Sequence, residues 1–510
     1  MKINQLKMGV FFSYASQAVS ILSGLLYTPI MLRLLGQSEY GLYQMVYAVI
    51  SYLGLLSLGF SSGYIRFYSQ YKIKGDEKGV ARLNGMYLMV FMFISVICLI
   101  CGITMMFNIK TVFGEGLTAS ELETAKILLF LMVISLAINL VRSVFLSNIS
   151  ANERFLFHRG ISFVHLLLEP FVTLPVLLMG YGSVGMVTVS TAFTVILFVC
   201  SVVYCFKVLK MKFSFERFEA KLFKSIFVFT FFIFINIIVD RINWSVDKFL
   251  LGRLVGTVAV AVYGVSSQIN LLYINFSTAI SCMFIPRINR FVSEEKDNSK
   301  LSELFIKVGR LQFLILALIV SGFGLFGREF INVWAGPEYR GAYYVGLFLM
   351  IPGTIPLIQN LGVEIQKAKN MHKVCAVINL AIAIGNIFLS IPLIQKYSYI
   401  GAAAGTAISL VLGNVFINWY YYKKMEIDIP KFWKEIFGLF PALFVSVGVA
   451  FVIIKILPPD RSLLNLVVNI LIYTVVYFFA FWFVGMNEYE RDLIKGPLGK
   501  VFSKIKRGNK

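Results

Sequence analysis

Long apolar runs alternate with short polar breaks along the whole chain. Fourteen runs can be marked, at about 10–34, 40–64, 83–107, 125–148, 160–180, 184–206, 225–252, 257–285, 309–328, 342–366, 374–395, 400–422, 435–457 and 463–485, each closed by Gly, Pro or a charge cluster. A helix needs about 20 apolar residues to cross a bilayer core, so the pattern predicts an all-α polytopic membrane protein with about 14 transmembrane helices. The runs are too long and too uniformly apolar for the alternating strands of a membrane barrel. The longest breaks, 108–124, 207–224 and 286–308, have room for an amphipathic helix but not for a folded domain. The first run outlasts a secretory signal's apolar stretch and lacks a small-residue cleavage pattern, so it is expected to be the first span.

Composition narrows the class. Of 510 residues 58% are hydrophobic and 14% charged, against roughly 25% charged in soluble domains, which excludes a conventional soluble enzyme. The net charge of +21 could suggest a nucleic-acid partner, but the bases are distributed by side. With the N-terminus inside, 35 of the 47 Lys and Arg fall in cytoplasmic segments. Nine fall opposite, namely Arg33, Lys110, Lys126, Arg253, Arg328, Arg340, Lys396, Lys455 and Arg461. The positive-inside rule therefore predicts both termini in the cytoplasm. The basic excess faces anionic headgroups of the membrane lipids, and no nucleic-acid partner is expected. Cys98 and Cys101 form a C-x-x-C within a span, without a second pair and with only three histidines in the chain; no metal or other cofactor is expected. No G-x-x-x-x-G-K-[ST] phosphate loop is present, so ATP hydrolysis is not expected.

The chain also echoes itself. At an offset of 220, Arg33, Leu34, Gly36 and Tyr43 fall on Arg253, Leu254, Gly256 and Tyr263; at 216, Tyr181 and Gly185 fall on Tyr397 and Gly401. The first twelve spans thus read as two pseudo-symmetric six-helix lobes, 1–206 and 207–424, followed by two C-terminal helices and a basic tail over 425–510. Lobes related in this parallel way place a cavity between them in transporters.

A short basic N-terminus, a first span carrying Tyr27, Thr28 and Pro29 and ending at Gly36, and then Tyr40, Gly41, Leu42 and Tyr43 resemble the opening of polysaccharide-transport flippases. That superfamily also holds lipid II flippases and multidrug extruders. The resemblance implies alternating-access transfer of undecaprenyl-diphosphate-linked oligosaccharide from the inner to the outer leaflet of a bacterial cytoplasmic membrane. It implies a polyprenyl-diphosphate-linked glycan and polysaccharide-assembly proteins as partners, and a groove for the prenyl tail at spans 13 and 14.

Ionised groups are costly within a bilayer and mark function. Asn236, Asp240, Asn243 and Asp247 are spaced 4, 3 and 4 apart, on one helical face of span 7, with Arg241, Trp244 and Lys248 beside them. Moving back 220 residues finds Ser16, Ser20, Ser23 and Tyr27 in span 1, polar but uncharged. Both stripes are expected to line the cavity. Arg142, Arg241 and Lys248, with Arg66 at the inner end of span 2, are candidate donors to a diphosphate, for which a guanidinium fork is well suited. Asp240, Asp247, Glu169 and Glu364 are candidates for orienting those bases or coupling to a cation. An ion-paired stripe that only fixes helix packing is the competing reading. Pro29, Pro170, Pro175, Pro352, Pro356, Pro392 and Pro441 interrupt spans, and Gly401 with Gly405 forms a G-x-x-x-G that reads as helix packing.

Two other functions stay open. A cation-coupled multidrug exporter of the same superfamily commonly uses an acid in the first span, and 10–34 contains none. A membrane glycosyltransferase or polymerase should show a large outer loop or surface carboxylates; the loop 108–124, with Glu115, Glu121 and Glu123, is short for that role.

Overall fold

The computed structural model describes residues 5–57, 59–114, 117–215, 220–293, 298–369, 371–456, 463–493 and 495. Among them every regular element is a helix. Among the described residues, ten helices are long and apolar enough to cross a membrane, or eleven if the bent pair Ala342–Ile358 and Leu361–Ala368 (41°) forms one span. This is a multi-pass membrane protein.

Two helical runs are far too long for a single crossing. Gln5–Leu53 has 49 residues and His372–Lys424 has 53, which at 1.5 Å per residue is more than twice a core of about 30 Å. Each contains a break where the backbone leaves helical geometry, at Gly36 (φ 74°) and at Ser398 (φ 53°). At the second break the chain folds back on itself. Gly401 has no room for a Cβ against the Leu393 carbonyl, and Gly405 none against Ser390. The G-x-x-x-G therefore packs helix against helix, as its spacing predicts. The expected run 40–64 is interrupted: Gln5–Leu53 gives way to the 3-10 turn Gly54–Ser57, and Phe60–Ile73 starts after Gly59 (φ 67°). The left-handed backbone that glycine permits ends one helix and starts the next.

The described chain packs as two compact units, residues 1–265 with 379–405, and residues 266–378 with 406–510. In the first unit, neutral polar side chains tie the helices Phe60–Ile73, Glu77–Phe107 and Ala119–Ala151 together. The Tyr64 hydroxyl donates to Asn84 Oδ1 (2.5 Å) and accepts from Asn148 Nδ2 (2.7 Å), and Asn84 donates on to the Lys212 carbonyl (2.8 Å). Elsewhere in this unit the Glu121 carboxylate accepts from Ser38 (2.5 Å), Thr257 (2.9 Å) and the Thr118 amide (2.9 Å). That set joins the turn after Gly36 to the turn after Gly256, two positions paired by the sequence repeat. A carboxylate with several donors satisfies buried or half-buried lone pairs that would otherwise be costly.

The second unit is tied by a cation. Arg310 donates to both Glu490 oxygens (2.6 and 3.0 Å), to Glu435 Oε2 (2.9 Å) and to the Gly485 carbonyl (3.1 Å). Its side chain is 7% exposed and that of Glu490 only 2%. This knot fastens the helix Asn298–Trp334 to Ile429–Phe437 and to the segment after Leu463–Ala480.

Candidate functional site

The first unit contains a cavity of about 460 Å³, within the range of about 300–1,000 Å³ typical of small-ligand sites. Its walls follow helical spacing. The two arms of the hairpin around Gly36 supply Ser23 and Tyr27 on one side and Tyr43, Tyr47 and Ser51 on the other. The helix Ala119–Ala151 adds Met132, Ser135, Leu136 and Asn139, and Phe155–Leu178 adds Leu166, Glu169, Pro170 and Thr173. Gly182–Lys207 adds Met186, Val187, Ser190 and Thr191. Intervals of three and four residues place each set on one face of its helix. Ala220–Leu254 contributes Arg241.

The lining is mostly hydroxyl and apolar, with two formal charges. Glu169 lies 3.5 Å from His165 Nε2, one helical turn back. Among the described residues, no carboxylate lies within ion-pair distance of Arg241. A guanidinium carries five N–H donors, and in a wall of hydroxyls these can be met by an anionic guest. Alcohol groups both donate and accept, so they suit the neutral polar parts of such a guest.

The structure brings together some of the expected site residues and separates others. Ser23, Tyr27, Glu169 and Arg241 line one cavity. Arg142 is buried behind it, its Nε 3.4 Å from Ser201 Oγ and its Nη1 3.5 Å from the cavity residue Asn139. Lys248 donates to Gln44 Oε1 (3.0 Å), and Gln44 donates to Tyr40 (2.8 Å). Asp247 is buried and accepts from the Tyr263 hydroxyl (2.6 Å). In span 7, Asp247 and Lys248 thus each have a neutral hydrogen-bond partner. Ser16 has its hydroxyl buried and Ser20 is exposed; neither is part of the cavity wall. Arg66 is exposed on Phe60–Ile73. Glu364 belongs to the second unit, where it pairs with Lys367 (2.7 Å). The side chains of Asn236, Asp240, Asn243 and Trp244 lie outside the described residues.

Sequence reasoning noted Tyr43 only in the repeat and the opening motif, not as a site residue, and did not single out Tyr47, Ser51, Ser135, Asn139, Thr173, Ser190 or Thr191. Their spacing was visible, with Ser135 and Asn139 one turn apart and Glu169 one turn from Thr173. A search led by charge passes over such neutral groups, some of which bond a carbonyl of their own helix. Thr191, for example, donates to the Val187 carbonyl (2.8 Å).

The second unit holds a groove of about 640 Å³ that is almost wholly apolar. Phe313, Ala317 and Val320 form one wall, Ile351, Ile355 and Ile358 another, and Trp433, Phe437, Phe440 and Leu443 a third. The helix Leu463–Ala480 contributes none of its lining.

Known proteins share this architecture. A lipid II flippase MurJ in an inward closed conformation superposes with a TM-score of 0.75 at 18% identity, covering 95% of this chain and 100% of that one. An inward-facing multidrug resistance MATE family transporter gives 0.62 at 13% identity, covering 82% of this chain and 99% of that one. In sequence, a putative O-antigen transporter of Shigella flexneri is 22% identical over 413 residues, 78% of this chain and 92% of its own length. A probable flippase, AglR, of Haloferax volcanii is 24% identical over 269 residues, 51% of this chain and 55% of its own length. Residues 6–292, more than half of the chain, match the family described as polysaccharide biosynthesis protein, and the chain belongs to that family.

Proposed function

We propose that this protein is a flippase that carries a lipid-linked oligosaccharide across a membrane, and that it is not an enzyme. The observation that carries this reading is the hydroxyl-lined cavity in which Arg241 has no carboxylate partner among the described residues. A diphosphate needs a cationic fork, and sugars need donors and acceptors on all sides; this lining offers both. The cavity volume suits the charged end of the substrate. The apolar groove of the second unit suits a prenyl tail, and it is built from Phe313, Ile355 and Phe440 rather than from spans 13 and 14 together. The names of relatives in Shigella and Haloferax support the same reading. Its finer parts are fourteen spans, both termini in the cytoplasm of a bacterial inner membrane, an undecaprenyl-diphosphate carrier, and transfer from inner to outer leaflet in concert with polysaccharide-assembly proteins.

The test is deletion followed by mass analysis of lipid-linked intermediates, with complementation by the native chain and by Arg241→Gln. A finished repeat unit should accumulate on the inner leaflet, and R241Q should fail to clear it while reaching the membrane in normal amount. Incomplete sugar chains would point to a transferase instead. The second reading, a cation-coupled exporter, is favoured by one observation: Glu169 puts an acid in the cavity, though from the helix Phe155–Leu178 rather than from the first span. Unchanged glycan intermediates with altered drug sensitivity would select it.

A further inference from the structure

A third cavity, of about 510 Å³, lies where Asn298–Trp334 ends and Ala342–Ile358 and Leu463–Ala480 begin. Its lining is charged and polar: Arg328, Glu329, Asn332, Arg340 and Tyr344, with Val333 and Leu466 as apolar members. Arg328 is held in place. Its guanidinium lies 5.1 and 5.3 Å from the ring centroids of Tyr343 and Tyr344, and Nη2 donates to the Tyr344 hydroxyl (2.6 Å). Tyr343 is itself pinned through its hydroxyl to the Gly324 carbonyl (2.8 Å). Arg340 follows the turn Pro337–Tyr339 and points Nε at Asn332 Oδ1 (3.4 Å). Among the described residues neither arginine forms an ion pair, although Glu329 lines the same cavity.

Placement makes the pair unusual. The expected topology puts this end on the face where only nine of 47 bases fall, so two arginines in one cavity do not follow from the positive-inside rule. Loose snorkelling would leave each side chain free to range over the headgroups, whereas Arg328 packs against two tyrosine rings, donates to one of their hydroxyls and is already oriented. The unused donors of both guanidinia, the Asn332 amide and the Tyr344 hydroxyl proton face one space, with Leu466 beside them. Two arginines against one glutamate leave a single positive charge, which matches a phosphodiester.

We propose that this cavity binds the phosphodiester headgroup of a membrane phospholipid, with Arg328 and Arg340 on the phosphate oxygens and an acyl chain along Leu466. The site is separate from the cavity around Arg241, and it does not rest on the transport reading. The experiment is native mass spectrometry of the full chain in detergent, titrated with phosphatidylglycerol, phosphatidylethanolamine or inorganic phosphate. One phospholipid should be retained per chain. Arg328→Gln with Arg340→Gln should weaken that retention by about tenfold, the scale expected for losing charge-assisted bonds. Arg328→Lys with Arg340→Lys, which keeps the charge but loses the fork, should give a smaller loss; a monodisperse elution profile confirms that each variant is folded. Equal lipid retention by the Gln variant and the native chain would overturn the site. Displacement of the lipid by inorganic phosphate at equal concentration would overturn the lipid as its ligand.

Discussion

Arg310 and Arg241 each stand in a long, largely apolar helix, and their surroundings differ in kind. Arg310 meets two carboxylates and two carbonyls; Arg241 meets a cavity. A buried cation with every donor matched is part of the scaffold. One left facing hydroxyls and space keeps its binding capacity for something else. The charge alone does not tell these roles apart, and the partners do.

Arg310→Leu is the hardest test of this contrast. It strands Glu490, 2% exposed, and removing one member of a buried pair costs about 3–5 kcal/mol. Membrane abundance and thermal stability in detergent should both collapse, with export lost only in consequence. Normal abundance together with abolished export would show that Arg310 is functional and the contrast misplaced. R241Q should do the opposite. Export of the lipid-linked glycan should fall more than tenfold, while thermal stability changes by less than about 1 kcal/mol, because no partner among the described residues is left stranded. A stability loss on the scale of R310L would mean that Arg241 is a packing residue.

Arg142 falls between the two. It is buried, yet its hydrogen bonds run to the neutral Ser201 and Asn139 at 3.4 and 3.5 Å, near the long limit for such bonds. Arg142→Gln can keep part of that pattern without the charge. It should cost about 1–2 kcal/mol, as loss of hydrogen bonds from a charged group does, and reduce export a few-fold through Asn139, which lines the cavity. Parallel melting curves and export assays separate this intermediate behaviour from either extreme.

These contrasts show which parts were legible in the sequence. Span length, the breaks at Gly36 and before Gly401, and the Ser23 and Tyr27 stripe are local properties, written in hydropathy and spacing within a few turns. Arg310 reads in sequence as one more cytoplasmic base; its partners Glu435 and Glu490 lie 125 and 180 residues away. The same distance hides the engagement of Lys248 by Gln44, 204 residues apart. Local pattern says where a charge sits along a helix, and only the fold says what meets it. The division into units after Val265 is likewise set by packing, while the repeat at 220 records only matching residues.

The smallest expected effect separates two acids that the sequence presents as equals. Glu364 lies three residues before Lys367 on one short helix, bonded at 2.7 Å, with the Lys367 side chain 60% exposed. Glu169 has a comparable local partner, His165 one turn away, but its carboxylate lines the cavity. Exposed pairs at such spacing contribute about 0.3–0.5 kcal/mol. Glu364→Gln should therefore leave melting temperature and glycan export within error of the native chain. Glu169→Gln should lower export several-fold without a matching change in stability, since it alters the charge that a guest beside Arg241 would meet. If the two variants lose export equally, position in the cavity is not what gives an acid its role, and the case built on Arg241 weakens with it.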